Sequence, residues 1–116
     1  MARAAQDAGA SGLSLINTVR GMALHPRTRA PWLGGGTGGL SGPAVRAIAL
    51  AHVQAVRAAV ALPIVAMGGV GRGRDPAELL SAGAELVAVG TESFRDPSAG
   101  LRIAAELAEI SLLGPR

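Results

Sequence analysis

Two apolar runs organise the chain: IVAMGGV at residues 64–70 and LVAVGT at residues 86–91. Each is a short aliphatic stretch that stops at glycine, and one helix-sized segment separates them. Two buried parallel strands joined by a crossover helix have this pattern. Because small residues follow each strand, an anion can approach the backbone N–H groups closely. We therefore expect a phosphate to lie between the loops that follow two successive strands.

The composition sets the size and class of the fold. The chain has 116 residues, is 49% hydrophobic but only 2% aromatic, and contains 17 glycines. Aliphatic residues suit helices packed on a parallel sheet, and the length fits one domain spanning residues 1–116. A closed barrel of strand–helix units needs roughly 200 residues or more. We therefore expect an α/β chain that forms part of a larger fold.

Charge and cysteine content exclude several functions. The net charge is +3, and the arginines of the loops are not interleaved with aromatic rings, which argues against nucleic-acid binding. The absence of cysteine excludes a disulfide frame, a thiolate metal site and a cysteine nucleophile within this chain. Arg3 and Asp7 argue against a signal peptide, and no apolar run has the length of a membrane span. We expect a soluble cytoplasmic protein with no membrane or nucleic-acid partner.

Hydrophobic periodicity predicts alternating helices and strands, with every strand parallel. Helices are predicted at 2–9, at 43–61, from Asp75-Pro76 to about 83 and after Asp96-Pro97, and strands at 12–18, 64–67 and 84–89. Asp75 is predicted to be a helix N-cap with Glu78 completing a capping box, and Gly114-Pro115 to stop the last helix. The predicted apolar stripes are Val45, Ile48, Ala49, Val53, Val56 and Val60 on the second helix, and Leu101, Ala104, Ala105, Ala108 and Leu112 on the last, widened by Ile103, Leu107 and Ile110.

Three strands alone leave two open sheet edges and an apolar face without a partner. A closed (β/α)8 TIM barrel, of which this chain would be the C-terminal part with about three β/α units (strands 6–8), removes both problems. In such barrels the phosphate commonly sits on the loops after strands seven and eight. The two glycine-ended strands would then be those strands.

Polar residues follow the first predicted strand. Asn17 and Thr18 would face a ligand if the sheet is parallel, or would form an ordinary Asx or Ser/Thr turn. The glycine-rich connection 19–42 is either functional or a flexible linker, and it ends in residues that are typical of a helix start. His52, beside an apolar stripe, is more typical of a packed residue than of a catalytic one, and His25 has no identifiable partner.

Four short motifs, taken together, resemble one enzyme family. They are INT at 16–18, GGLSGPA at 38–44, MGGV at 67–70 and VGT at 89–91. In wording and spacing they are similar to the C-terminal half of dihydroorotate dehydrogenase, over about residues 4–112, and to its class 1, type B branch. By that resemblance, the FMN-contacting positions are Ile16, Gly42, Gly68, Gly69, Gly90 and Thr91. Asn17 and Thr18 match positions that hydrogen-bond the pyrimidine substrate.

The resemblance also implies a reaction and partners. The family oxidises dihydroorotate to orotate in pyrimidine biosynthesis: a base removes the C5 proton and hydride passes to FMN. In class 1 that base is a cysteine from the N-terminal half of the barrel, and this chain has neither cysteine nor lysine. We therefore assign no catalytic residue and no metal ligand, and we expect the chain alone to be inactive. Type B enzymes pass electrons to a subunit carrying FAD and an iron–sulfur cluster, and an oligomer is expected at full length. The alternatives are another FMN- or phosphate-binding TIM-barrel enzyme, or a non-catalytic remnant.

Overall fold

The computed structural model describes residues 1–112 and has an α/β fold. Three short strands form a parallel sheet in the order β1 (Leu13–Leu15), β4 (Ile64–Met67), β5 (Leu86–Ala88). Leu15 pairs with Ala66, and Ala66 pairs with Val87, so these side chains share one face of the sheet. The predicted parallel pairing of these three strands is confirmed.

Five α-helices surround this sheet in the described part of the chain. They are α1 (Ala2–Asp7), α2 (Arg46–Ala59), α3 (Arg74–Ser81), α4 (Glu92–Arg95) and α5 (Ala99–Leu112). The core lies between the sheet and α2, α3 and α5, where Val53, Ile64 and Leu79 are fully buried. The predicted stripe of α2 supplies this core, although Ile48 remains 38% exposed. The core therefore holds β4 and β5 side by side, with their carboxyl ends at the same edge.

The connection 19–42 contains an antiparallel hairpin, so the prediction that every strand is parallel was wrong. Its strands are β2 (Val19–Gly21) and β3 (Gly38–Leu40), in a separate two-stranded sheet. The interpretation as a flexible linker is also wrong, because a Leu24–Pro31 bridge and a His25–Trp32 ring stack at 5.2 Å order the tip. Strands of three residues, partly glycine, are too short to show the alternation that marks a strand.

Helix starts differ from the prediction in two places. A 3-10 turn at Pro43–Val45 precedes α2, after Gly42 with a φ of +79°. Helix α3 begins one residue before Asp75, so the predicted N-cap and capping box are wrong. The Asp75 carboxylate instead accepts the N–H groups of Gly71 and Arg72, at 2.8 and 3.1 Å. The local Asp-Pro signal was read as a cap, whereas the carboxylate turns back to the preceding loop.

The main predicted face of α5 was wrong, whereas Ile103, predicted to widen that face, is buried. Leu101 and Leu112 are 82% and 87% exposed, whereas Ala99 and Ile103 are buried. This helix is apolar on several sides, so periodicity alone could not choose the inward one. Polar contacts between α5 and the loop after β4 determine which side of the helix faces inward. The predicted stop at Gly114-Pro115 lies outside the described residues.

Candidate functional site

A cavity of about 460 Å³ opens at the carboxyl ends of β1, β4 and β5. Its volume falls in the range typical of small-ligand and cofactor sites. The backbone of Ile16 continues the β1 pairing there, because its N–H donates to the carbonyl of Met67 at 3.0 Å. All eight residues predicted from the sequence to bind ligand line this cavity: Ile16, Asn17, Thr18, Gly42, Gly68, Gly69, Gly90 and Thr91.

The loop after β4 requires glycine for reasons internal to the protein. Gly68 and Gly69 have φ of +126° and +73°, in the region that side chains rarely adopt. A Cβ on Gly69 would lie 2.9 Å from the carbonyl oxygen of Gly42 and from the Cβ of Arg46. A Cβ on Gly68 would lie 3.0 Å from the Cβ of Ala49. The loop therefore turns tightly over the start of α2, and its backbone borders the cavity.

Gly90 has a different environment. A Cβ at this position would meet no atom within 4 Å, and its φ is not in the left-handed region. Gly90 is exposed and lines the cavity, so its backbone is open on this side of the protein. Thr91 also lies near the segment that precedes α2, because a Cβ added to Gly42 would lie 3.7 Å from Thr91 Cγ2. Three loops thus converge around Gly42, Gly69 and Thr91.

Backbone donors at this convergence have no acceptor within the described residues. The N–H groups of Gly69, Val70, Gly90 and Thr91 make no hydrogen bond to another part of residues 1–112. Backbone N–H groups normally find a partner, so a cluster of free donors beside a cavity is suited to an anion. The next two amides of the same loop, as noted above, already donate to the Asp75 carboxylate.

Asn17 and Thr18 both line the cavity. Asn17 Oδ1 accepts the N–H of the next residue, Thr18, at 2.8 Å, whereas an Asx turn would join it to the N–H two residues on. Because this contact holds the amide oxygen, Asn17 Nδ2 remains available to donate. Thr18 packs against Gly39 of β3, where an added Cβ would collide with the threonine side chain. The hairpin therefore holds the polar pair at the cavity.

Two arginines from different helices fix the loop that follows β4. Arg46 of α2 pairs with Asp75 at 2.8 Å and also with Glu78. Arg102 of α5 donates to the carbonyl of Gly71 at 3.2 Å. Beside it, Glu106 accepts the N–H of Gly73 at 2.5 Å, and this contact, followed by the Arg102 pair, lowers the pKa of Glu106.

Charged side chains at the cavity were missed by the sequence reasoning. Glu92 and Arg95 both line it, and their side chains lie 3.6 Å apart. The Arg102 guanidinium lies 3.3 Å from the Glu92 carboxylate and 3.0 Å from the Asp96 carboxylate. Hydrogen bonds from Ser98 and then from Arg102 lower the pKa of Asp96. The four-residue spacing of Arg102 and Glu106 was the signal that could have shown this network.

The remaining candidates have structural roles or no contacts at the site. His25 Nδ1 accepts the N–H groups of Arg27 and Thr28 at 3.3 Å, so it organises the hairpin tip. His52 is exposed on α2. Within residues 1–112, no group of three or more His, Asp or Glu side chains is placed to hold a metal ion. None of the helices in this range is long and apolar enough to cross a membrane.

Comparisons with known proteins agree on one family. The sequence profile described as dihydroorotate dehydrogenase matches residues 1–111. The dihydroorotate dehydrogenase B (NAD(+)) catalytic subunit of Citrifermentans bemidjiense is 54% identical over 107 residues, which are 92% of this chain and 35% of the relative. Dihydroorotate dehydrogenase A (fumarate) of Lactobacillus delbrueckii subsp. bulgaricus is 47% identical over 115 residues, 98% of this chain and 38% of the relative.

Structural similarity leads to the same family. The crystal structure of the Eimeria tenella dihydroorotate dehydrogenase in complex with ferulenol superposes with a TM-score of 0.76 at 30% identity. That match covers 94% of this chain and 29% of the other. The chain thus spans about a third of the length of the relatives it matches. On the profile match over nearly its whole length, the chain belongs to the dihydroorotate dehydrogenase family.

Proposed function

We propose that the cavity binds FMN through its phosphate and takes part in the oxidation of dihydroorotate to orotate. The observation that carries this proposal is the set of free N–H groups at Gly69, Val70, Gly90 and Thr91. A phosphate dianion requires several such donors, and charge-assisted hydrogen bonds to it are stronger than neutral ones. The open space beside Gly90 lets the anion approach that backbone closely. Ile16, Gly42 and Gly68 complete the proposed FMN contacts.

The proposed architecture is the last three β/α units, strands 6–8, of a TIM barrel. Its support is the strand order: from β1 to β4 to β5, each crossover moves to the adjacent position in the sheet. A sheet that grows in one direction leaves its two outer strands unpaired, and closure into a barrel pairs them. The proposed phosphate site then lies at the carboxyl ends of the strands, where barrels bind their ligands.

Residues of this chain would bind and orient the reactants. When bound, FMN supplies the acceptor for the hydride that leaves dihydroorotate. Asn17 Nδ2, left free by the contact of Oδ1 with the Thr18 N–H, would donate to an oxygen of the substrate. The Thr18 hydroxyl would supply a second hydrogen bond to the planar ring. The proton-accepting base is assigned to no residue here, since the chain has neither cysteine nor lysine.

The electron acceptor is a further part of the proposal. Relatives carry the names of both the B (NAD(+)) catalytic subunit and the A (fumarate) enzyme. The motif GGLSGPA favours type B, and we propose an electron-transfer subunit with FAD and an iron–sulfur cluster as the partner. A cytoplasmic location and an oligomer at full length belong to the same proposal.

Flavin titration tests the proposed phosphate site. Quenching of flavin fluorescence is measured as the 116-residue chain is added to FMN or to riboflavin, which lacks the phosphate. We expect FMN to bind at least about tenfold more tightly, a difference of about 1.4 kcal/mol. Equal affinity for the two flavins would contradict the proposal.

A second assay tests the assignment of the catalytic base. Dihydroorotate is added to the FMN-loaded chain, and the flavin absorbance is followed without oxygen. We expect no bleaching, because the chain lacks the family's base. Bleaching at a rate proportional to protein concentration would show that a residue of this chain removes the proton.

A further inference from the structure

Arg102 joins both loops of the proposed phosphate site. Its guanidinium donates to the Gly71 carbonyl at 3.2 Å and to the Glu92 carboxylate at 3.3 Å. The same group donates to Asp96 and to Glu106, both at 3.0 Å. One side chain on α5 therefore binds the loop after β4, the segment after β5 and its own helix.

These contacts lie next to the free amides. Gly71 follows Gly69 by two residues, and Glu92 directly follows Thr91. A planar guanidinium with several fixed donors holds its acceptors at defined separations. Because one acceptor comes from each loop, Arg102 sets how far apart the two groups of amides lie.

Arg102 also compensates a negative charge at the site. Glu92 lines the cavity, and a carboxylate there repels a phosphate unless it is paired. Arg102 lies 3.3 Å from Glu92, whereas Arg95, 78% exposed, is 3.6 Å away. Asp96 and Glu106 pair with the same guanidinium, so Arg102 is the cation that joins Glu92 to its neighbouring carboxylates.

We infer that Arg102 is a positioning residue that aligns the amides of the two loops on one phosphate and offsets part of the negative charge of Glu92. This inference rests on the proposed phosphate site and adds to it a residue that does not line the cavity. A residue with this role affects binding of the phosphate more than binding of the isoalloxazine ring. A residue that only stabilises the fold would affect both alike.

The test compares Arg102→Met with Arg57→Met in the 116-residue chain. Arg57 is a matched control at the opposite end of the sheet: it binds Glu85 at 2.7 Å, the Val60 carbonyl at 3.0 Å and the Leu62 carbonyl. Affinities for FMN and riboflavin are measured by fluorescence, and folding by far-ultraviolet circular dichroism. Titrations at low and high salt separate the two roles, because salt screens the repulsion from Glu92 and leaves the alignment of the loops unchanged.

For Arg102→Met we expect the FMN affinity to fall about tenfold while the riboflavin affinity stays within about twofold. High salt should recover part of the loss. Arg57→Met should keep the FMN-to-riboflavin ratio of the unaltered chain. If Arg102→Met does not fold, Arg102→Lys carries the test, and a loss of about threefold in that ratio is expected.

Other outcomes contradict different claims. An unchanged ratio in a folded Arg102→Met or Arg102→Lys chain would overturn the positioning role. An equal fall of the ratio in Arg57→Met would show a general effect of stability and would also overturn it. A ratio near one in the unaltered chain would instead overturn the proposed phosphate site.

Discussion

Gly69→Ala should destabilise the protein through the backbone of the loop after β4. Alanine at a φ of +73° costs about 1 to 2 kcal/mol, because its Cβ crowds the following carbonyl. The new Cβ would also lie 2.9 Å from the Gly42 carbonyl and from the Arg46 Cβ, so backbone must move. Overpacking of this kind costs about 1 to 3 kcal/mol. We therefore expect a loss of about 2 to 5 kcal/mol in the free energy of unfolding.

Urea unfolding followed by far-ultraviolet circular dichroism measures this loss. Gly100→Ala is the matched control, since a Cβ at Gly100 on α5 meets nothing within 4 Å. Its free energy of unfolding should be unchanged, or raised by up to about 1 kcal/mol. If Gly69→Ala and Gly100→Ala unfold at the same urea concentration, then Gly69 does not have the left-handed conformation and the close approach to Gly42 that are described above.

Three further predictions concern binding and pH. Gly90→Ala should change the free energy of unfolding by no more than about 0.5 kcal/mol but lower the affinity for FMN at least about tenfold, because the methyl group enters open space beside the proposed phosphate. An unchanged FMN affinity would contradict this. Asn17→Asp should weaken orotate binding to the FMN-loaded chain about tenfold, because a hydrogen-bond donor is replaced by a negative charge. The weaker binding is measured as a smaller shift of the flavin spectrum at a given orotate concentration. Equal shifts in the variant and the unaltered chain would contradict the proposed substrate contact. The free energy of unfolding should be constant above about pH 5 and fall as the pH drops through the lowered pKa of Glu106 and Glu85, since both carboxylates accept backbone N–H groups in the fold. In Glu106→Gln the free energy of unfolding should fall less over the same acid range. The same pH curve in this variant and in the unaltered chain would contradict the prediction.

Gly68, Gly69, Gly90 and Thr91 could be predicted from local signals, whereas Ile16 and Gly42 were assigned only by the family resemblance. A strand that stops at Gly68-Gly69 or at Gly90-Thr91 brings those residues to the edge of a parallel sheet wherever the strand lies. The neighbouring position of β4 and β5 then followed from one intervening helix. The prediction that glycine keeps the backbone open to a ligand fits Gly90, whereas at Gly68 and Gly69 a Cβ would first meet the protein.

Features set by distant contacts could not be predicted in the same way. The orientation of α5 depends on two hydrogen bonds to residues more than 30 positions earlier: Arg102 donates to the Gly71 carbonyl, and Glu106 accepts the Gly73 N–H. Its own sequence offers apolar residues on more than one side. The role of Asp75 depends on how the preceding loop turns, which a local cap signal does not contain.

The central claim is that backbone amides of two neighbouring loops bind the phosphate of FMN. Nitrogen–proton correlation spectra of the isotopically labelled chain, recorded as FMN is added, measure those amides one by one. We predict downfield proton shifts at Gly69, Val70, Gly90 and Thr91, absent when riboflavin replaces FMN. Shifts confined to other residues, such as the glycine run 34–39, would contradict the account.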